Sequence, residues 1–352
     1  MKWRRVLLPL FLLALLAVVL VVGRRGEGPR LYPRTVRWDV LGPVPVTIQV
    51  VAASDREAHE ATEAAFAAMS QVNNLMNGYL AGSEISRLNR SGGALVHVSS
   101  QTEYVLRRSI YFGEVTGGAF DVTAGPVIRL WKRVIEDAKE KDGREVKLPD
   151  AKELEAARKL VGYRNLDVGE NTAQLKLPGM SVDLGGIAKG YAVDKAVEAL
   201  KAHGITSALV DAGGDGYALG TRPDGTAWRV GIQDPRGEEG ARLRPVVLLS
   251  NMAYATSGDY VQYVDIGGVR YTHIVDPRTG EPARQAASAT VVAGDCTTAD
   301  ALATGVSVLG PADGLAAIRK VPGVEVMVIS VKDGKLEVVT SAGFDKFVED
   351  KP

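Results

Sequence analysis

Residues 324–340 read Val-Glu-Val-Met-Val-Ile-Ser-Val-Lys-Asp-Gly-Lys-Leu-Glu-Val-Val-Thr, two runs rich in β-branched side chains on either side of Asp333-Gly334. An Asp-Gly pair supplies the positive φ angles of a tight hairpin, so Val324–Ser330 and Lys335–Thr340 are expected to pair antiparallel. Just upstream the period changes to that of a helix, over Thr298–Leu309 and again over Ala312–Lys320. Further back, Ala289–Ala293, Tyr271–Val275, Val246–Leu249 and Trp228–Gln233 look like strands separated by turns. Connections that short require antiparallel neighbours. Ser207–Asp211 and Val44–Ala53 read as further strands. Helices fall between them. Asp55–Met76 carries Ala58, Ala61, Ala65, Met69, Val72 and Met76 on one stripe, Ser100–Val115 is capped by Ser99 or Ser100, and Ala192–Leu200 is ended by Gly204. Asp150–Val161 opens with Asp150 and Glu153 at capping-box spacing. The class is α+β, with largely antiparallel sheets flanked by helices.

Composition narrows the function. The 352 residues hold 42 Lys+Arg against 42 Asp+Glu, so no net field attracts nucleic acid. Cys296 is the single cysteine, which excludes an intrachain disulfide, and with four His there is little to build a Cys/His zinc site. A bound metal would be held by oxygen.

The first thirty residues differ from the rest. Lys2, Arg4 and Arg5 precede an apolar run, Val6–Val22, of about 17 residues, just long enough to cross a bilayer. The positive flank favours an amino end inside and the remainder outside. No small-x-small cleavage site and no Cys follow, so residues 1–30 read as an uncleaved membrane anchor, or second as a cleaved signal. Residues 31–352 form one domain with no linker longer than a loop and no tandem repeat.

Four segments carry more glycine and isolated polar residues than packing needs. In Ser181–Tyr191 a strand ends at Asp183, a Gly185-Gly186 turn follows and a helix starts near Ile187, with Lys189 close by. Such a turn lets backbone N–H groups approach an anion, although it equally reads as an ordinary tight turn. Asp300 and Thr304 are four apart, so on a helix both oxygens leave one face and suit Mg²⁺. The same pair also reads as an acidic residue near a helix N-terminus beside an indifferent Thr. His273 sits in a strand ending at an Asp276-Pro277 turn, either structural or catalytic. Gly117–Pro126 reads as a Gly-bounded strand with Asp121 in its middle, or as turn chemistry alone.

Together and in this order, the segments resemble the ApbE family of FAD:protein FMN transferases. The matching residues run through Leu41-Gly42, Tyr79-x-x-x-Ser83-Glu84-Ile85-Ser86-Arg87-Leu88-Asn89, Gly118–Pro126, Asp183–Tyr191, Asp211-Ala212-Gly213-Gly214-Asp215, Gly231-Ile232-Gln233-Asp234-Pro235, Ala255–Tyr260, His273–Gly280 and Ala299–Thr304. The resemblance implies a T-fold-like core and a catalytic domain on the outer face of the membrane. It implies an enzyme that takes FAD as substrate with Mg²⁺, moves FMN onto a Thr or Ser of a target protein and releases AMP. By motif, Asp300, the Thr304 hydroxyl and the Gly186 carbonyl would bind the metal. Tyr79 would face the flavin ring, Ala119, Phe120, Asp121, Asp183 and Lys189 would contact FAD, and His273 and Ile274 would lie near the pyrophosphate. The acceptor would be a membrane electron-transfer subunit or another FMN-carrying protein.

Three positions depart from the family pattern. The run Val6–Val22 stands where the family has a lipid-modified Cys, Leu41-Gly42-Pro43 replaces Met-Gly-Thr, and Leu130-Trp131-Lys132 replaces Leu-Trp-Gly, which reads as a surface change. A Thr hydroxyl is a poor nucleophile and needs a base. His273 is the first candidate, because its ordinary pKa of about 6.5 is close to working pH, and Asp300 is the second. The same residues also suit an FAD pyrophosphatase giving FMN and AMP, or a flavin-binding protein without activity.

Overall fold

The eight strands of the main sheet follow one another in space in the order they follow one another in the chain. They are β1 (Arg30–Trp38), β2 (Val44–Ala52), β3 (Ala208–Ala212), β4 (Asp215–Leu219), β5 (Met252–Gly258), β6 (Ser288–Ala293), β7 (Glu325–Lys332) and β8 (Lys335–Thr340), and every pairing is antiparallel. The computed structural model describes residues 30–38, 44–140, 146–237 and 242–349. The anchor expected at Val6–Val22 and the Leu41-Gly42-Pro43 departure lie outside the described residues.

The expected terminal hairpin forms: β7 and β8 pair from Met327↔Thr340 to Lys332↔Lys335, with Asp333 at φ 51° and Gly334 at φ 74°. The remaining elements are insertions into this meander. Among the described residues, between β2 and β3 come six α-helices, α1 (Asp55–Met76), α2 (Glu84–Asn89), α3 (Ser100–Val115), α4 (Gly125–Glu140), α5 (Ala151–Arg158) and α6 (Ala188–Ala202), with a small sheet of Val96–His97, Thr172–Leu175 and Leu166–Gly169. Between β6 and β7 lies α7 (Cys296–Ile318). Sequence reading split α7 in two. The split is physical: Gly310 has a non-helical φ of 76° and Pro311 follows it.

Local chemistry explains the helix ends. Ser54 caps α1 by accepting from Glu57 N at 3.2 Å, while the Glu57 carboxylate reaches back past the cap to accept from Ala53 N at 2.9 Å. All six residues of its expected stripe are buried. Asp150 caps α5 by accepting from Lys152 N at 2.8 Å, but Glu153 turns outward to Arg133 at 2.6 Å, and the helix stops at Arg158.

Two expected strands are corrected. Gly117–Thr123 is a chain of turns, because the Asp121 carboxylate bends it by accepting from Thr123 N and Thr123 Oγ1; α4, unread in the sequence, follows at once. The strand expected over Tyr271–Val275 is Val269–Thr272, hairpinned to Tyr263–Ile266, so His273 stands just beyond its end.

α1, α6 and α7 bury their apolar faces on one side of the sheet, against residues such as Ile48, Val210, Ala255 and Val291. The other side is covered by the ribbon Trp228–Gln233/Arg242–Leu249 and by Phe344, with Trp228 Nε1 donating to Leu219 O at 3.0 Å. α6 and α7 approach closely at Gly190: a Cβ there would overlap the Cys296 carbonyl and lie 2.8 Å from Asp300 Cβ.

Candidate active site

One end of the sheet gathers the polar segments. Asp215 opens β4 opposite Ala255, and Ser257 is the next-to-last residue of β5. α7 runs across this end with Asp300 and Thr304 one turn apart. Asp300 is 2% exposed; its Oδ2 accepts from Gly190 N at 2.9 Å, and its Oδ1 lies 3.9 Å from the Lys189 ammonium, beyond hydrogen-bond length. Lys189 bonds directly to Asp215, which is 1% exposed, and Asp215 also accepts from Thr256 N at 3.3 Å. Burial pushes the Asp300 carboxyl above its ordinary range, while the Lys189 charge and the Gly190 N–H oppose that rise. Thr304 Oγ1 lies 3.2 Å from Ser257 Oγ. Gly186 presents its backbone to this hydroxyl: a Cβ on Gly186 would sit 2.9 Å from Thr304 Oγ1 and 3.3 Å from the Phe120 ring.

These oxygens fit a hard divalent cation. Among the described residues no cluster of three or more His, Cys, Asp or Glu side chains could hold a metal. A cation site must therefore combine a carboxylate with hydroxyl and backbone oxygens, groups that Asp300, Thr304 and the Gly186 turn beside Thr304 can supply.

The turn before α6 carries the next group. Asp183 N donates to Val122 O at 2.7 Å and Asp183 Oδ1 accepts from Gly185 N at 2.8 Å, so the turn is tied to the Gly117–Thr123 loop. That loop packs Ala119 against Ile274 and Val308, and Phe120 against the Gly186 turn and Gly305. The Asp121 carboxylate is occupied in holding the loop: it also accepts from Tyr163 N at 2.8 Å, and burial raises its pKa.

His273 is partly buried. Its N donates to Gln262 O at 3.0 Å and its Nδ1 lies 3.1 Å from the same carbonyl. With Nδ1–H donating there, Nε2 keeps a free lone pair. Burial lowers its pKa; the Gln262 bond opposes this, while the charges of Lys132 and Lys189 lower it further and Asp183 raises it. The imidazole thus feels the charges of both lysines and of Asp183, and its pKa lies below its ordinary value.

Tyr79 stands at the mouth, 65% exposed, between cavities of about 560 Å³ and about 200 Å³ that both reach its ring and Arg129. The smaller cavity ends at Asp183 and Gly185, next to Gly186. Lys132, read in the sequence as a surface change, points into this site. Its ammonium donates to Tyr79 Oη and lies 3.7 Å from Asp183 Oδ2.

The structure therefore brings together Asp183, Gly186, Lys189, His273, Asp300 and Thr304, with Tyr79 at the entrance and Ala119, Phe120 and Ile274 as apolar wall. Asp215, Ser257 and Lys132 join them, although the sequence reading gave none of the three a role in the site. Asp215 had a signal: a carboxylate opening an otherwise apolar strand needs a cation beside it.

The family model that matches this chain, over residues 44–328, is that of the ApbE family. A curated relative from Vibrio cholerae, named FAD:protein FMN transferase, is 36% identical over 276 residues, covering 78% of this chain and 80% of the relative. One of the same name from Treponema pallidum is 35% identical over 290 residues, covering 78% of each. Among solved structures, the flavin transferase ApbE of Vibrio cholerae superposes with a TM-score of 0.76 at 31% identity, covering 90% of this chain and 100% of that one. The apbe protein of Thermotoga maritima gives a TM-score of 0.78 at 32% identity, covering 91% of this chain and 100% of that one.

Proposed function

The chain belongs to the ApbE family, and on that premise we propose that it is a Mg²⁺-dependent FAD:protein FMN transferase that attaches FMN through a phosphoester bond to a Thr or Ser of an acceptor protein and releases AMP. The observation that supports this reading is the close approach of the Gly186 turn to the Thr304 hydroxyl, one helical turn from the buried Asp300 carboxylate, with a cavity reaching from Tyr79 to Asp183 and Gly185 beside it.

Asp300, the Thr304 hydroxyl and the Gly186 carbonyl would hold the cation, with Ser257 beside Thr304. Bound there, Mg²⁺ would supply positive charge against the negative charge that develops on the diphosphate oxygens. Lys189, anchored by Asp215, adds a fixed charge on the same side. Tyr79 offers its face to the flavin ring. The acceptor oxygen attacks the FMN phosphorus, its proton passes to His273 Nε2, and the bond from that phosphorus to the bridging oxygen breaks as AMP leaves. His273 serves as base because burial and two neighbouring ammonium groups keep it deprotonated, whereas Asp300 is committed to Gly190 and the cation.

The apolar run Val6–Val22 supports an anchored enzyme acting on the outer face of the membrane, and the family resemblance supports a membrane electron-transfer subunit as its acceptor. The test is incubation with FAD, Mg²⁺ and a candidate acceptor. A fluorescent acceptor band with an equal yield of AMP is expected; AMP without label would make the protein a pyrophosphatase instead.

A further inference from the structure

Tyr79 lies on an exposed turn, where nothing in its own segment would hold a phenol ring in one orientation. Its neighbour across the cleft is Lys132 of α4. The Lys132 ammonium donates to Tyr79 Oη, lies 4.5 Å from the ring centroid, and lies 3.7 Å from Asp183 Oδ2. One cation thus spans the Tyr79 turn, α4 and the turn before α6.

The base of Lys132 is rigid. The adjacent Trp131 is buried, donates from Nε1 to Gly280 O at 2.8 Å and stacks on Tyr271 at 5.5 Å with planes 19° apart. At the start of α4, Gly125 packs so tightly on Ser181 that a Cβ would lie 2.7 Å from the Ser181 carbonyl. Asp183 and the Tyr79 phenol hold the ammonium's pKa above its ordinary value against the opposing effect of burial, so the charge is present at neutral pH.

We infer that Lys132 is a positioning residue for the flavin ring: by clamping the Tyr79 phenol to Asp183 it fixes the aromatic face against which the ring of FAD stacks. This rests on the reading of FAD as substrate with its ring at Tyr79. Lys132 acts through Tyr79, so its effect belongs to the ring end of the dinucleotide and not to the phosphates.

The test measures FAD binding by quenching of flavin fluorescence on EDTA-treated protein, in wild type, Lys132→Met, Lys132→Arg, Tyr79→Ala and the double variant Lys132→Met/Tyr79→Ala, with ADP as a competitor lacking the ring. Lys132→Met is expected to weaken FAD by about 5- to 10-fold, to leave ADP unchanged and to add nothing once Tyr79 is Ala; Lys132→Arg should restore most of the loss. In turnover, the KM for FAD should rise with kcat for AMP release nearly constant. Equal weakening of ADP, equal weakening in the Tyr79→Ala background, or unchanged FAD binding overturns the inference alone. Wild-type protein that neither changes flavin fluorescence here nor releases AMP from FAD with Mg²⁺ overturns the substrate reading and this inference with it. Thermal melts within a few degrees of wild type separate loss of the clamp from loss of the fold.

Discussion

Asp194 and Asp300 clasp the same pair of helices in opposite directions. Asp194, on α6, accepts from Cys296 N at 2.7 Å and Thr297 N at 2.8 Å at the start of α7, while Asp300, on α7, accepts from Gly190 N at 2.9 Å near the start of α6. Each carboxylate satisfies N–H groups that a helix end leaves without intrahelical partners. The proposed metal ligand is thereby held at a fixed height on its helix.

Gly190 is where this clasp is tightest. Gly190→Ala should destabilise the protein by about 1–3 kcal/mol, since its methyl overlaps the Cys296 carbonyl and must push α6 from α7. Chemical denaturation checks the stability. Magnesium titration of the surviving folded protein should show weakened affinity, because Asp300 then sits displaced.

Burial pushes the Asp194 carboxyl up to about 6 from an ordinary 3.8, against the bonds from Thr297 and Cys296. Between those values the folded state holds a proton that the unfolded state has released, so this group's contribution to stability falls as pH rises from about 4 to about 6 and is flat above. The difference in unfolding free energy between wild type and Asp194→Asn, followed over that window, should decline with pH. A difference that does not change excludes the raised pKa.

Replacing Asp300 or Thr304 by Ala should reduce AMP release by about 100-fold or more, exceeding the usual cost of losing an outer-shell partner of a metal. Calorimetric titration of Mg²⁺ into FAD-loaded protein should show the cause directly. Unchanged magnesium affinity in both variants would remove the pair from the cation site.

His273→Asn should slow transfer by about 10²- to 10⁴-fold while leaving FAD affinity close to wild type. Because burial and the charges of Lys132 and Lys189 hold the imidazole below its ordinary pKa, the acid limb of kcat/KM in wild type should fall below pH 6.5. A limb at or above that value contradicts the assignment of His273 as base.

How much of this was readable beforehand depended on how local each cause is. The α1 stripe, the Asp333-Gly334 hairpin and the one-turn spacing of Asp300 and Thr304 follow from backbone periodicity, and all are present. α4 was hidden by its first residues. Gly125-Pro126 looks like a turn, yet a proline in the first helical turn loses no hydrogen bond, and Val127, Leu130, Trp131, Val134 and Ile135 behind it form a buried face. The Gly117–Thr123 loop misread as a strand because the bonds that bend it come from Asp121, and one of their donors, Tyr163 N, is far along the chain. Lys132 gave no sign of its place in the site, since its partners Tyr79 and Asp183 come from two distant turns.

The meander in which spatial and chain order coincide makes demands on biogenesis. β2 gains β1 on one side from its neighbour in sequence, but its other edge is completed only by β3, after helices α1 to α6 have been made. Until then Ile48 and Val50, destined for the interior, belong to a strand with an unsatisfied rim, the kind of template on which nascent chains aggregate. Helices α1 to α3 emerge next from the ribosome and are the first material able to shield it, so slowing translation across that stretch should help yield, and a chain truncated before Ala208 should be insoluble.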